Sequence, residues 1–244
     1  MTRTNLKTSF ILLAFPVLLF SCHHMFGKRV RGNGNVGSQD RSVSDFKNVE
    51  VDGAAKVFIT QGDQRSVKVE ADENLQQFIE VYNEGDKVVI REKHGFNLDP
   101  TYDIKIYITS PVYNDIEASG AGDIIGQTPI SNSEGLDLHL SGAGAIKMEI
   151  NAPHVSAEVS GAGNIDLKGD TKTAEFELSG VGNAHCFDLK SENTKVEISG
   201  VGSAQVYASV KLDAQVSGAG SVDYKGGGSV DQHVSGVGSV HKAD

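Results

Sequence analysis

No tryptophan occurs in the 244 residues, cysteine occurs only twice, and no arginine follows Arg91. Each absence excludes something. Two cysteines, Cys22 and Cys186, cannot build a disulfide framework, so burial of apolar side chains must hold the fold together. With no tryptophan and only 7% aromatic residues, stacking platforms for sugars are scarce; Phe187 and Tyr207 are the best outward-facing ones. The lack of arginine beyond position 91 removes a usual partner of the carboxylates in polysaccharide-cleaving enzymes. Proline is also sparse, and no proline-rich or charged break divides the chain into domains. Basic residues are outnumbered 22 to 32, a net charge of −10, which argues against nucleic acid as a partner.

What is present in quantity is a repeat. Ser-Gly-Ala/Val-Gly opens at Ser119, Ser141, Ser160, Ser179, Ser199, Ser217 and Ser235, with successive copies 22, 19, 19, 20, 18 and 18 residues apart. One residue before each serine lie Ala118, Leu140, Val159, Leu178, Ile198, Val216 and Val234; five after it lie Ile124, Ile146, Ile165, Ala184, Ala204, Val222 and Val240. Both columns are apolar and polar residues alternate with them, so each copy reads as strand, corner, strand. A period near 20 of this kind predicts one coil of a β-solenoid, with equivalent residues stacked about 4.8 Å apart. The corner glycines are expected either to need φ > 0 or to leave no room for a Cβ against the next rung. Cys186 falls in the column of Met148, Leu167, Val206 and Tyr224 and is expected to point inward as a small hydrophobe.

The start of the chain has a different character. Arg3 and Lys7 precede an apolar run from Phe10 to Phe20 that is too short to span a bilayer, as in a signal peptide. Leu19-Phe20-Ser21-Cys22 resembles the lipobox of bacterial lipoproteins, which implies cleavage after residue 21 and a lipid anchor to the membrane at Cys22. Removal of residues 1–21 takes Arg3 and Lys7 and no acid with it, leaving 20 basic against 32 acidic side chains, net −12. Residues 22–42, basic and rich in Gly and Asn, read as a flexible tether. Gly32-x-Gly34-x-x-Gly37 matches a dinucleotide fingerprint as a string, but no hydrophobic strand precedes it and no amphipathic helix follows.

From residue 43 the chain forms one domain to about residue 240, with regular coils over 119–240. Asp52-Gly53-Ala54-Ala55 aligns with the corner motif as a degenerate first coil. Val67 and Val69 mark a strand, residues 74–79 a single helical turn, Glu84-Gly85-Asp86 a hairpin, and Ile104, Tyr107 and Ile108 another strand. An irregular opening is what a solenoid needs to cover its terminal face. The order Phe46, Val49, Val51, Gly53, Val57, Ile59, Gly62-Asp63, then Asn74-Leu75, then Gly85-Asp86-x-Val88-x-Ile90, then serial Ser-Gly-x-Gly corners, resembles the family called putative auto-transporter adhesin, head GIN domain. The resemblance runs over residues 43–240 and implies a secreted or lipid-anchored envelope protein of Gram-negative bacteria engaged in adhesion; it transfers no catalytic or ligand motif.

The fold class expected is therefore all-β, a single parallel β-helix with an irregular N-terminal capping segment. Two outward columns, two and four residues before each serine, are strongly acidic. Glu158, Glu177 and Glu197 should stack on consecutive rungs beside Glu175 and Asp137, relieved mainly by Lys195. Such a face reads either as a solvated surface or as a docking site for divalent cations or a basic partner. His139, His154, His185 and His233 fall in different columns, apart from His139 and His233 five rungs apart, so no histidine zinc site is expected. No metal, cofactor or catalytic constellation is expected. The preferred reading is a non-enzymatic outer-membrane lipoprotein, on the periplasmic side or the cell surface, that binds an envelope or host glycan or protein. An assembly protein that forms homo-oligomers through its solenoid surfaces is the alternative, and a carbohydrate-active enzyme stands third.

Overall fold

The computed structural model describes residues 27–244, so the expected signal peptide and the acceptor Cys22 lie outside the described residues. The remainder is the expected all-β solenoid. Each coil is read from its register. Leu136–Leu140 pairs in parallel with residues 155–159 of the strand Ala145–Val159, which pairs along its length with Asn164–Leu178, which pairs in turn with Val181–Ile198. The last rungs are Lys211–Val216 with Ser229–Val234 before the corner, and Val201–Tyr207, Ala219–Lys225 and Ser239–Lys242 after it. Inward columns are filled by Ile124, Ile146, Ile165, Ala184, Ala204 and Val222 on one side and Leu140, Val159, Leu178, Ile198 and Val216 on the other, all buried. Cys186 is buried among them.

The corners settle which of the two glycine explanations holds. Gly120 has a positive φ of 107°, but the later corner glycines do not. What they share is a close approach. The N–H of the residue between the two glycines donates to the first glycine's carbonyl on the preceding rung: Ala162 to Gly142, Val181 to Gly161 and Val201 to Gly180, each at 2.9 Å. A Cβ on Gly161, Gly180 or Gly200 would run into that same carbonyl oxygen, inside any contact distance.

Each coil also has a second bend, which in three successive coils carries no glycine. Inward alternation is interrupted by two consecutive outward residues, Pro153-His154, Lys172-Thr173 and Glu192-Asn193, and resumes at Val155, Ala174 and Thr194. The inward residue before each interruption is small: Ala152, Thr171 and Ser191 stack in register. Where these are polar they find partners: Thr194 Oγ1 donates to the Tyr207 carbonyl at 2.7 Å, and the Ser191 hydroxyl lies between Thr194 and the same carbonyl.

The N-terminal end is closed by hairpins. Asp52 stands in register with Ser119, as the degenerate first corner requires, and accepts its hydroxyl at 3.1 Å. Asn48–Asp52 is covered in parallel by Lys87–Glu92, which turns back antiparallel onto Ile79–Glu84 through Gly85, φ 64°. Lys56–Gln61 is covered by Lys105–Ser110, which pairs antiparallel with Ser66–Asp72. The helical turn is the three-residue segment Gln76–Phe78.

The flexible tether expected for residues 22–42 is corrected over most of its length. Lys28–Arg31 pairs in parallel with Phe96–Asp99, and Val36–Arg41 pairs antiparallel with Ser66–Asp72. The cause lies in the partner elements. Buried Asp72 accepts the Gly34 N–H at 2.6 Å and the Thr101 N–H at 2.9 Å, and its carboxylate fills the place a Cβ on Gly32 would need. Arg41 reaches the Gln76 carbonyl and side-chain oxygen, both at 2.8 Å. A sheet edge supplies backbone partners to any sequence that its neighbours pin there, so a Gly/Asn-rich composition did not disclose the strands. Gly32-x-Gly34-x-x-Gly37 serves this docking, and a strand, not a helix, follows it.

Candidate functional site

Both outward surfaces of the solenoid are ladders of polar side chains fixed by rung stacking. On the surface before the corner, Glu158, Glu177 and Glu197 do stand on three consecutive rungs, and Asp115, Asp137, Ser156, Glu175, Lys195 and Asp213 form the neighbouring column. Basic groups are inserted between the acids. Lys195 Nζ lies 2.6 Å from Glu175 and 2.8 Å from Glu197, and these two hydrogen bonds raise its pKa. Lys87 bridges Glu50 at 2.9 Å and Glu117 at 3.4 Å, and its pKa is likewise raised, chiefly by the Glu50 bond. His139 sets one ring nitrogen 3.2 Å from Glu158 and the other 3.9 Å from Asp115, whose own pKa is pushed up by burial. Glu177 and Asp137 have no cation within 4 Å among the described residues. Nor, among those residues, do three His, Cys, Asp or Glu converge as a metal ion requires. Two lysines, each shared between two carboxylates, only partly offset this column pair, so the sheet keeps an excess of negative charge, and a basic partner would meet Glu177 and Asp137 unpaired among the described residues.

On the surface after the corner one outward column runs Tyr107, Phe58, Ile125, Lys147, Asp166, His185. Its first part is apolar: the Tyr107 and Phe58 rings stack at 5.0 Å between centroids. Its second part is polar and opens into a trough of about 460 Å³ lined by Ile125, Pro129, Lys147, Glu149, Asp166 and His185 among others. The polar walls are paired with each other: Lys168 Nζ to Glu149 at 2.9 Å, and His185 Nδ1 to Asp166 at 3.0 Å. The rim is a loop over residues 127–129, held by Gln61, whose side chain bonds Ser131 through its N–H and carbonyl at 2.8 Å each and whose own N–H donates to Thr128 Oγ1 at 2.9 Å. Phe187 and Tyr207 do face outward, but Lys225 lies 5.0 Å over the first ring and Lys190 4.5 Å over the second. Their faces are covered by cations, and so is Tyr107, with Lys68 Nζ 4.7 Å over its ring, which leaves Phe58, stacked on Tyr107, as the aromatic part of this surface.

Sequence reasoning missed the trough. The signal for it is the first spacing between corners, 22 residues against 19 for the next coil; two of the three extra residues form the rim and the third lies in the second bend before Leu136.

Stacked coils that hold side chains in fixed outward columns define a β-solenoid. The chain belongs to the family described as putative auto-transporter adhesin, head GIN domain, whose model matches residues 45–228. Among solved structures it is similar to a putative adhesin from Bacteroides fragilis, with a TM-score of 0.84 and 22% identity over 88% of this chain and 100% of that one. It is also similar to a putative lipid binding protein from Parabacteroides distasonis, with a TM-score of 0.74 and 26% identity over 89% and 100%. A putative adhesin from the same organism gives 0.69 and 24% over 88% and 100%. No curated protein matches significantly.

Proposed function

We propose that this protein is a non-catalytic cell-envelope lipoprotein, anchored through Cys22, that acts as an adhesin by binding a neutral polysaccharide strand along the surface after the corner. The observation that carries this reading is the trough and the column leading into it. Phe58, backed by Tyr107, and Ile125 offer an apolar strip for a sugar's C–H face, and the paired walls Glu149–Lys168 and Asp166–His185 offer fixed donors and acceptors for its hydroxyls. Acids (Glu149, Asp166, Asp188) and bases (Lys147, Lys168) line the trough together, a mixed lining that suits polar, uncharged groups better than ions of one sign. An extended track of evenly spaced rungs suits a polymer, because its apolar stretch and its polar stretch lie in line along one column. The family's adhesin description agrees with this reading.

The test is a polysaccharide array probed with the mature protein, together with an assay for new reducing ends. Binding without chain cleavage is expected, and Asp166→Ala with Lys168→Ala should weaken it about tenfold or more while leaving the melting temperature nearly unchanged. A Cys22→Ser variant should lose fatty-acid labelling and leave the membrane fraction. Cleavage of a polysaccharide, or an array without a single ligand, would overturn the functional reading; retention of the label would overturn the anchor.

A further inference from the structure

The two ends of the solenoid are treated differently. The N-terminal rung is covered by hairpins, whereas Ser229–Val234 pairs with Lys211–Val216 on one side and, among the described residues, with nothing on the other. All six of its residues are exposed. On the rung beneath, inward-facing Leu212, Ala214 and Val216 are at most 1% exposed; their successors Val230 and Val234 are 37% and 39% exposed. The strand also lacks the usual protection of an edge, having no proline, no lysine, no bulge and no inward charge.

Its sequence is a chemical palindrome: Ser229, Val230, Asp231, Gln232, His233, Val234, Ser235. Read backwards, serine, valine and glutamine return to themselves, and aspartate exchanges with histidine. We propose that this strand pairs antiparallel with the same strand of a second copy about a twofold axis through Gln232, covering this face of the last rung in a dimer; Ser239–Lys242, the other strand of that rung, pairs only with Ala219–Lys225 among the described residues. Antiparallel pairing about that axis sets residue i opposite residue 464 − i, the sum fixed by Gln232 facing itself, and thereby keeps inward residues opposite inward ones. Val230 then meets Val234 twice, on the core side. Asp231 meets His233 twice, on the outer side, an opposite-charge pair whenever the histidine is protonated. Gln232 meets itself, and its amide carries both the donor and the acceptor the symmetric contact requires. The same inward column holds Ala157, Phe176, Val196 and Ala214 on earlier rungs, so the amide enters at the one level where the axis would pass. The twofold axis makes the contact isologous, and because the opposite end is covered the assembly stops at two copies instead of growing into a fibre.

The experiment uses the mature chain from residue 22 with Cys22→Ser to remove the anchor, followed by sedimentation velocity across a concentration series. A monomer–dimer equilibrium is expected. His233→Asp sets two aspartates against each other twice and should raise the dissociation constant about tenfold or more. Asp231→His with His233→Asp restores the palindrome in reverse and should restore the wild-type constant, which no merely structural effect of either change would do. Gln232→Cys should oxidise to a self-crosslinked dimer, since directly opposite residues sit about 4.5–5.5 Å apart between Cα atoms, within reach of a disulfide. A monomer up to the solubility limit overturns the proposal. So does a dimer indifferent to His233→Asp, which would use another surface, and so does a monomer whose 229–234 amides are protected from exchange, which would mean that the chain's own N-terminal segment covers the edge.

Discussion

Replacing Gly180 by alanine adds one carbon at the middle of the stack, where the Gly161 carbonyl of the preceding rung already accepts the Val181 N–H at 2.9 Å. The new Cβ and that oxygen cannot coexist, so the rungs must separate locally. Loss of the hydrogen bond contributes about 0.5–1.5 kcal/mol and the overpacking strain about 1–3 kcal/mol, together roughly 1.5–4.5 kcal/mol. For a chain of this size that corresponds to a fall in melting temperature of about 3–18 °C. Val181→Ala is the control: its side chain is 62% exposed and its backbone unaffected, so the change should stay within about 0.5 kcal/mol. The assay is thermal unfolding followed by circular dichroism, with hydrogen exchange to locate the damage. Contacts in a solenoid are between neighbours, so Gly180→Ala should deprotect rungs on both sides of the corner, whereas the equivalent Gly236→Ala should fray only the last rung. Equal melting of Gly180→Ala and Val181→Ala would refute the stacking argument.

Two further expectations concern buried titratable groups. Burial pushes the Cys186 thiol up to about 12, so a thiol reagent at pH 8 should label it only on unfolding, and Cys186→Ala should cost roughly 1–2 kcal/mol; rapid labelling of the native protein would contradict its inward placement. Burial alone would raise the pKa of Asp72, but the N–H groups of Thr101 and Gly34 outweigh it and hold the carboxyl below its ordinary value. A folded value below the unfolded one gives stability that is present at neutral pH and lost as pH falls from about 4 through the folded value. Hydrogen exchange in residues 27–41, corrected for intrinsic rate, should therefore accelerate at pH 3, and Asp72→Asn should loosen the same segment already at pH 7; identical protection at both pH values would sink the clamp.

The repeat made the coils legible because each apolar column has to stay apolar on every rung, and Ile146, Ile165 and Ala184 advertise one another. The degenerate corner at Asp52 could be aligned for the same reason. The second bend stayed hidden because its marker is only a lapse in alternation, Lys172-Thr173 after a buried Thr171, with no glycine to punctuate it. The arm over 28–41 stayed hidden because its order comes from Asp72, Gln76 and the edge of Ser66–Asp72, distant in sequence. On the surface, columns could be listed but not their pairings. Lys195 was visible as relief between Glu175 and Glu197, whereas the bridge of His139 to Glu158, and the trough beneath Gln127–Pro129, depend on side-chain direction and on where an extra three residues are stored.

The carbonyl-to-amide ladder at the corners makes the protein's length a whole number of steps. Each corner engages only the one before it, so a duplication of 18 to 20 residues spanning one Ser-Gly-x-Gly would lengthen the rod by about 4.8 Å and leave both ends as they were, whereas a gain of four or five residues would fit nowhere except in a loop. The reach of the rod is thus open to adjustment by gene-level repetition without redesign of the cap or of the remaining coils.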